Sequence, residues 1–126
     1  MTSTKKNIRG KELAKLAAGF AMSKKADYVS YVELSDAAGI ADWFVICQGD
    51  NAPHNKAIAD AVIHGLKEKG VNPWHIEGES SSRWILMDYS DVVVHVMLGD
   101  LREYYGLEKL WPGAITLVHN GVGVDE

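Results

Sequence analysis

The stretch "WILMDYSDVVVHVM", Trp84 to Met97, decides how this chain folds. Two runs of apolar and β-branched residues flank a polar break, the pattern of a β-hairpin. A two-residue turn of Tyr89 and Ser90 would set Asp88 opposite Asp91, Met87 opposite Val92, Leu86 opposite Val93, Ile85 opposite Val94 and Trp84 opposite His95. Alternation then sorts the side chains onto two faces. Ile85, Met87, Val92, Val94 and Val96 make one face wholly apolar, which predicts core. Trp84, Leu86, Val93 and His95 make the other, edged by Asp88 and Asp91. Like charges facing across a strand pair are unfavourable, so the two carboxylates point to a use outside the hairpin. If helices cover only the first face, the second is an apolar patch with a polar rim, the mark of an interaction site. The competing expectation is that the helical segments "LREYY" and "LEKLW" lie over it and make His95 a core histidine.

Outward from the hairpin, the elements follow from periodicity. Leu13, Leu16, Ala17 and Phe20 recur at helical spacing between Ile8 and Lys24. "DYVSYVEL" (Asp27–Leu34) and "DWFVIC" (Asp42–Cys47) read as strands, the second apolar enough to be buried on both faces. "QGDNAPHN" is a turn whose Pro53 opens a helix carrying Ile58, Ala61, Val62 and Leu66, with Gly70 at its C′ position. "NPWHIEG" predicts a turn and a short strand, and "GDLREYYGLEKLW" two helical turns around Gly106, ended by Pro112 and Gly113. The final "AITLVHNGVGVDE" carries no clear signal and is expected to be a loosely ordered tail. The order α-β-β-α-β-β-β-α predicts an α/β (α+β) domain over residues 1–112, with a tail over 113–126. Its core would be a mixed sheet of about five strands with helices on one main face.

A chain of 126 residues, 47% hydrophobic and 24% charged, is an ordinary globular domain. Its single cysteine, Cys47, rules out an internal disulfide framework and fits a reducing compartment. No apolar run approaches the roughly 18 residues of a membrane span. Lys11, Glu12 and Lys15 make the N-terminal segment an amphipathic helix, not a signal peptide, so a cytoplasmic location is expected. The net charge of −4 argues against nucleic acid and for a basic protein as partner.

The enzyme readings are thin. There is no GxxxxGK(S/T) loop and no GxGxxG, and "GVGVDE" opens no helix. His54, His64, His75, His95 and His119 show no ligand spacing, and no GxSxG frames Ser80, Ser81 or Ser82, so no metal and no cofactor is expected. Asp88 with Asp91, joined by Asp50, could hold Mg²⁺ for phosphoryl transfer, but Arg83 is the sole basic residue nearby. A metal-dependent nucleotidyl- or phosphotransferase using Asp88 and Asp91 is therefore the alternative reading, and a homodimeric scaffold is another.

"ADWFVICQGDNAPHNKAIADAV", "EGESSSRWILMDYSDVVVHVM" and "REYYGLEKLW" together resemble the RsfS/Iojap family of ribosomal silencing factors, from about Leu13 to Trp111. The family more usually has Ser or Thr before Gly49, an Arg-like residue near His54, and Gly in place of Ser90. The resemblance implies a fold distantly similar to nucleotidyltransferases but without their catalytic residues. It also implies docking on the large ribosomal subunit through a basic β-barrel, its fourteenth-numbered protein (universal L-fourteen). Docked at the intersubunit face, such a factor blocks subunit joining and represses translation when nutrients are scarce. Organellar relatives are tied to large-subunit assembly. Carried onto this chain, the contact surface comprises Trp84, Leu86, Asp88, Asp91, Val93, His95, Tyr104, Tyr105 and Lys109. No catalytic residue is implied, and a homodimer of the free protein stays open.

Overall fold

The computed structural model describes residues 8–34, 41–106 and 113–124. Among them the chain runs α1 (Gly10–Met22), β1 (Tyr28–Glu33), β2 (Trp43–Gly49), α2 (Ala52–Glu68), β3 (His75–Glu77), β4 (Trp84–Asp88) and β5 (Val92–Leu98). It continues through α3 (Gly99–Tyr105), β6 (Ile115–His119) and β7 (Val122–Gly123). The strands form one seven-stranded sheet in the order β3-β4-β5-β2-β1-β6-β7. Only β2 and β5 run parallel; every other neighbouring pair is antiparallel. This is the open mixed sheet with helices that the sequence predicts.

The segment expected to be a loose tail is instead part of the sheet. Strand β6 pairs with β1, and β7 folds back on β6 with His119 opposite Val122. The two residues between them, Asn120 and Gly121, both take positive φ (53° and 79°), as a type I′ hairpin turn requires. These two added strands account for the difference between seven strands and about five.

Helices α1 and α2 pack together on one face of the sheet. Leu13, Ala14, Ala17, Ala18 and Ala21 of α1 and Ile58, Ala59, Val62 and Leu66 of α2 are buried there. Beneath them lie Val29, Val45, Ile85, Met87, Val92, Val94 and Val96. The alanine face lets the helices approach closely, and Phe20 lies so near Gly65 that any side chain there would collide with the ring. Helix α2 starts as its sequence predicts. The Asn51 side chain accepts from the His54 N–H at 2.8 Å and Pro53 sits in the first turn. Gly70, just past the end, has φ of 83°.

The hairpin keeps its two faces but not its register. Asp88 pairs with Val93, Met87 with Val94, Leu86 with His95, Ile85 with Val96 and Trp84 with Met97. Tyr89 extends the ladder, its N–H donating to the Val92 carbonyl at 2.8 Å, so the turn is centred on Ser90 and Asp91. Tyr89 is buried in the core, which keeps it out of the turn tip. The slip moves each partner by two residues, and a period-two strand returns every side chain to its predicted face. Ser90 sits at φ of 80°, where a Cβ is strained. Ser90→Gly should therefore stabilise the fold by about 0.5–1 kcal/mol, read as a higher urea midpoint at unchanged slope.

Candidate functional site

The sheet face away from α1 and α2 carries a cluster of aromatic rings around Trp84 and His95. Trp84 is half-buried, and its indole Nε1–H donates to Nδ1 of His95 at 3.1 Å. Phe44 meets the His95 ring edge-on, with centroids 4.6 Å apart. Tyr105, at the end of α3, lies on Trp84 with centroids 5.0 Å apart, and Tyr104 packs edge-on against Tyr105 at the same distance. Tyr104 is 81% exposed and Tyr105 49%, so three rings form a ladder from the sheet into solvent.

Beside the indole, Glu77, Gly78, Trp84 and Leu86 line a shallow groove of about 320 Å³. Gly78 makes it possible: at φ of 88° its backbone runs against the Trp84 carbonyl, and an added Cβ would strike that oxygen. Cross-strand pairing of His75 with Asp88 and of Glu77 with Leu86 places these β3 residues on the Trp84 face. Glu77 accepts from His75 Nε2 at 2.7 Å. The acidic rim of the patch is thus Glu77 and Asp88. Sequence reasoning missed Glu77, although the alternation of "WHIEG" put it there once β3 was paired with β4.

The predicted pair of facing carboxylates is overturned. Asp88 is opposite Val93, and its Oδ1 accepts from the Ser90 N–H at 2.8 Å, closing the turn locally. Asp91 reaches the other way. Its Oδ2 accepts from the Gly10 N–H at 2.6 Å, so it caps the N-terminus of α1, which has no side-chain cap of its own. A carboxylate there also offsets the positive end of the helix dipole. Asp91→Ala should cost about 1 kcal/mol, seen as a lower denaturation midpoint, with Asp91→Asn recovering part of it. Had the carboxylate been spent on a partner, the midpoint would not move.

Val93 (6% exposed) and His95 (5%) are buried. They flank Trp84 and Leu86 on the same sheet face, and they are not surface contacts. His95 is the core histidine of the competing expectation, but only half satisfied: Nδ1 has its donor, while buried Nε2 has no hydrogen-bond partner among the described residues. Burial lowers the imidazole pKa from 6.5 to about 4, so the ring is neutral at pH 7. Lys109 and the second helical segment "LEKLW" lie outside the described residues.

A three-carboxylate metal site does not assemble. Asp50 follows Gly49 at one end of β2, whereas Asp91 precedes Val92, the partner of Trp43 at the other end. Seven strand residues separate those ends, roughly 20 Å. Among the described residues no three His, Cys, Asp or Glu side chains gather as a metal would need. The 48–55 loop is occupied structurally. His54 Nδ1 accepts from the Asp50 N–H at 2.9 Å, and Nε2 is 2.8 Å from the Lys24 carbonyl, which ties the end of α1 to the start of α2. Cys47 is wholly buried and desolvation pushes its thiol up to about 12, so it is an inert small apolar residue.

Residues 7–123 match the family described as "Ribosomal silencing factor during starvation", RsfS. A ribosomal silencing factor RsfS from Halalkalibacterium halodurans is 40% identical over 115 residues, 91% of this chain and 98% of that protein. A Mus musculus protein named mitochondrial assembly of ribosomal large subunit protein 1 is 36% identical over 73 residues, 56% of this chain and 32% of its own length. A crystal structure of a Chromobacterium violaceum protein superposes with a TM-score of 0.78 at 36% identity, covering 84% of this chain and 88% of that one.

Proposed function

The chain belongs to the RsfS family of ribosomal silencing factors, and on that footing we propose that it represses translation by docking on the large ribosomal subunit. The docking site is a basic protein at the intersubunit face, the fourteenth-numbered one, and occupation of that face keeps the small subunit from joining. The observation that carries this reading is the Trp84–Tyr105–Tyr104 ladder rimmed by Glu77 and Asp88. Large aromatic rings supply the anchors of protein interfaces. Carboxylates around them steer a cationic partner and fix its register. The whole chain at −4 suits a basic protein better than bare RNA. The mouse relative's name, which specifies the ribosomal large subunit, favours the same subunit here. Relatives are named as silencing factors, not enzymes, in keeping with a protein that acts by occupying a surface. Among the described residues no helix is long and apolar enough to cross a membrane.

Co-sedimentation with separated subunits tests the proposal. The protein should travel with large subunits, not with small ones and not with protein-free large-subunit RNA. Added before subunits are mixed, it should lower the yield of joined ribosomes, and do much less to ribosomes already joined. Pelleting with small subunits, or equal splitting of preformed ribosomes, would sink the steric mechanism.

A further inference from the structure

Helix α3 poses a problem of its own. It has seven residues and none of them is buried, although it carries two of the three rings of the ladder. Helices this short are marginal in water and must be held by their surroundings. What holds α3 lies along one row across the sheet. Trp84 is opposite Met97, Met97 is beside Gln48, Gln48 is opposite Tyr28, and Tyr28 is opposite His119. The helix stands on this row with two feet. Arg102 donates from Nε to Oε1 of Gln48 at 2.7 Å, and its guanidinium lies 3.9 Å from the centre of the Tyr28 ring. Tyr105, three residues on and so on the same side of the helix, rests on Trp84. Gln48 seats the helix start as well: a Cβ on Gly99 would come within 2.8 Å of its Nε2.

We propose that Gln48 and Arg102 are positioning residues, a clasp that fixes α3 across the sheet and thereby sets Tyr104 and Tyr105 beside Trp84. This rests on the docking reading for its consequence, though not for its geometry. The guanidinium suits the task because its planar fork can donate to the amide oxygen while its face lies on the tyrosine. Neither residue needs to touch the partner. With the clasp opened, the tyrosines lose their fixed place and the partner must order them on binding, which weakens affinity.

The test uses full-length Gln48→Ala and Arg102→Ala, with Gln48→Glu as the conservative variant that keeps an acceptor for Arg102. Two quantities are read, amide hydrogen exchange of residues 99–105 and affinity for large subunits. Both alanine variants should speed exchange in α3 and weaken binding, each by about ten-fold, as expected for loss of a hydrogen bond to a charged group. Exchange in β2 and β5 should stay as in the wild type, which excludes general unfolding. Gln48→Glu should restore both quantities. Unchanged α3 exchange in the alanine variants overturns the clasp. Faster exchange with unchanged affinity overturns its positioning role. If the wild type itself fails to bind large subunits, the docking reading falls, and the exchange measurement still decides whether the clasp exists.

Discussion

Trp84→Ala should weaken large-subunit binding by roughly thirty-fold, the factor that corresponds to the 2 kcal/mol typical of an interface anchor. The substitution also removes the platform on which Tyr105 rests, so the ladder loses its base together with its largest ring. The sequence alone predicts little effect on folding, about 1 kcal/mol or less, because it places the indole on an open surface. The structure raises that expectation. Trp84 is half-buried and its indole N–H is the donor to His95 Nδ1, so truncation takes that donor away from a buried acceptor. About 2 kcal/mol of stability should go with it. Trp84→Phe separates the two effects: it keeps a ring under Tyr105 and removes the N–H. The phenylalanine variant should show the stability loss, through a lower urea midpoint, while keeping most of the affinity. Full affinity in Trp84→Ala would mean that the partner does not dock here.

The hairpin shows how far pattern alone reaches. Alternation assigned Ile85, Met87, Val92, Val94 and Val96 to the core, and all five are fully buried. That result survived a wrong turn centre, because hydrophobic alternation constrains the face of a strand and is blind to a slip of two residues. What the pattern could not supply was the tertiary demand on Asp91, whose partner Gly10 lies 81 residues away. The C-terminal strands are a different kind of miss. Asn120-Gly121 between "TLV" and "VGV" is the strongest short hairpin signal available, and it was legible. Glu77 stays hidden because nothing in the sequence pairs the three-residue β3 with β4, and its alternation faces the patch only once that pairing is made. Gln48 and Arg102 stand 54 residues apart, and no spacing rule would bring them together.

His95 should make the fold acid-sensitive in a range where an exposed histidine would not. The ring must be neutral in the folded chain, because protonated Nδ1 could not accept from the Trp84 N–H and burial disfavours the charge. Its folded pKa of about 4 lies below the 6.5 of an unburied imidazole. Between these values the unfolded chain binds the extra proton and the folded chain does not, so stability rises with pH across that window. The contribution is fully present above about pH 6.5 and falls as the pH drops through the window. It levels off below about pH 4, where both states are protonated. At 1.36 kcal/mol per unit the loss between pH 7 and pH 4.5 amounts to about 2 kcal/mol. Carboxylates titrate in the lower part of the same range, so the measurement is a difference. Urea midpoints of wild type and His95→Asn are compared from pH 7 to pH 4.5. Asparagine keeps an oxygen near the position of Nδ1 for the indole to donate to, but carries no proton of its own in this range. The wild type should lose about 2 kcal/mol more than the variant, while the Trp84 environment of its folded chain should hold until the pH nears 4, where His95 itself takes up the proton. Parallel profiles would mean that acid reaches His95 without penalty, and that the space around Nε2 already holds a group able to share its charge.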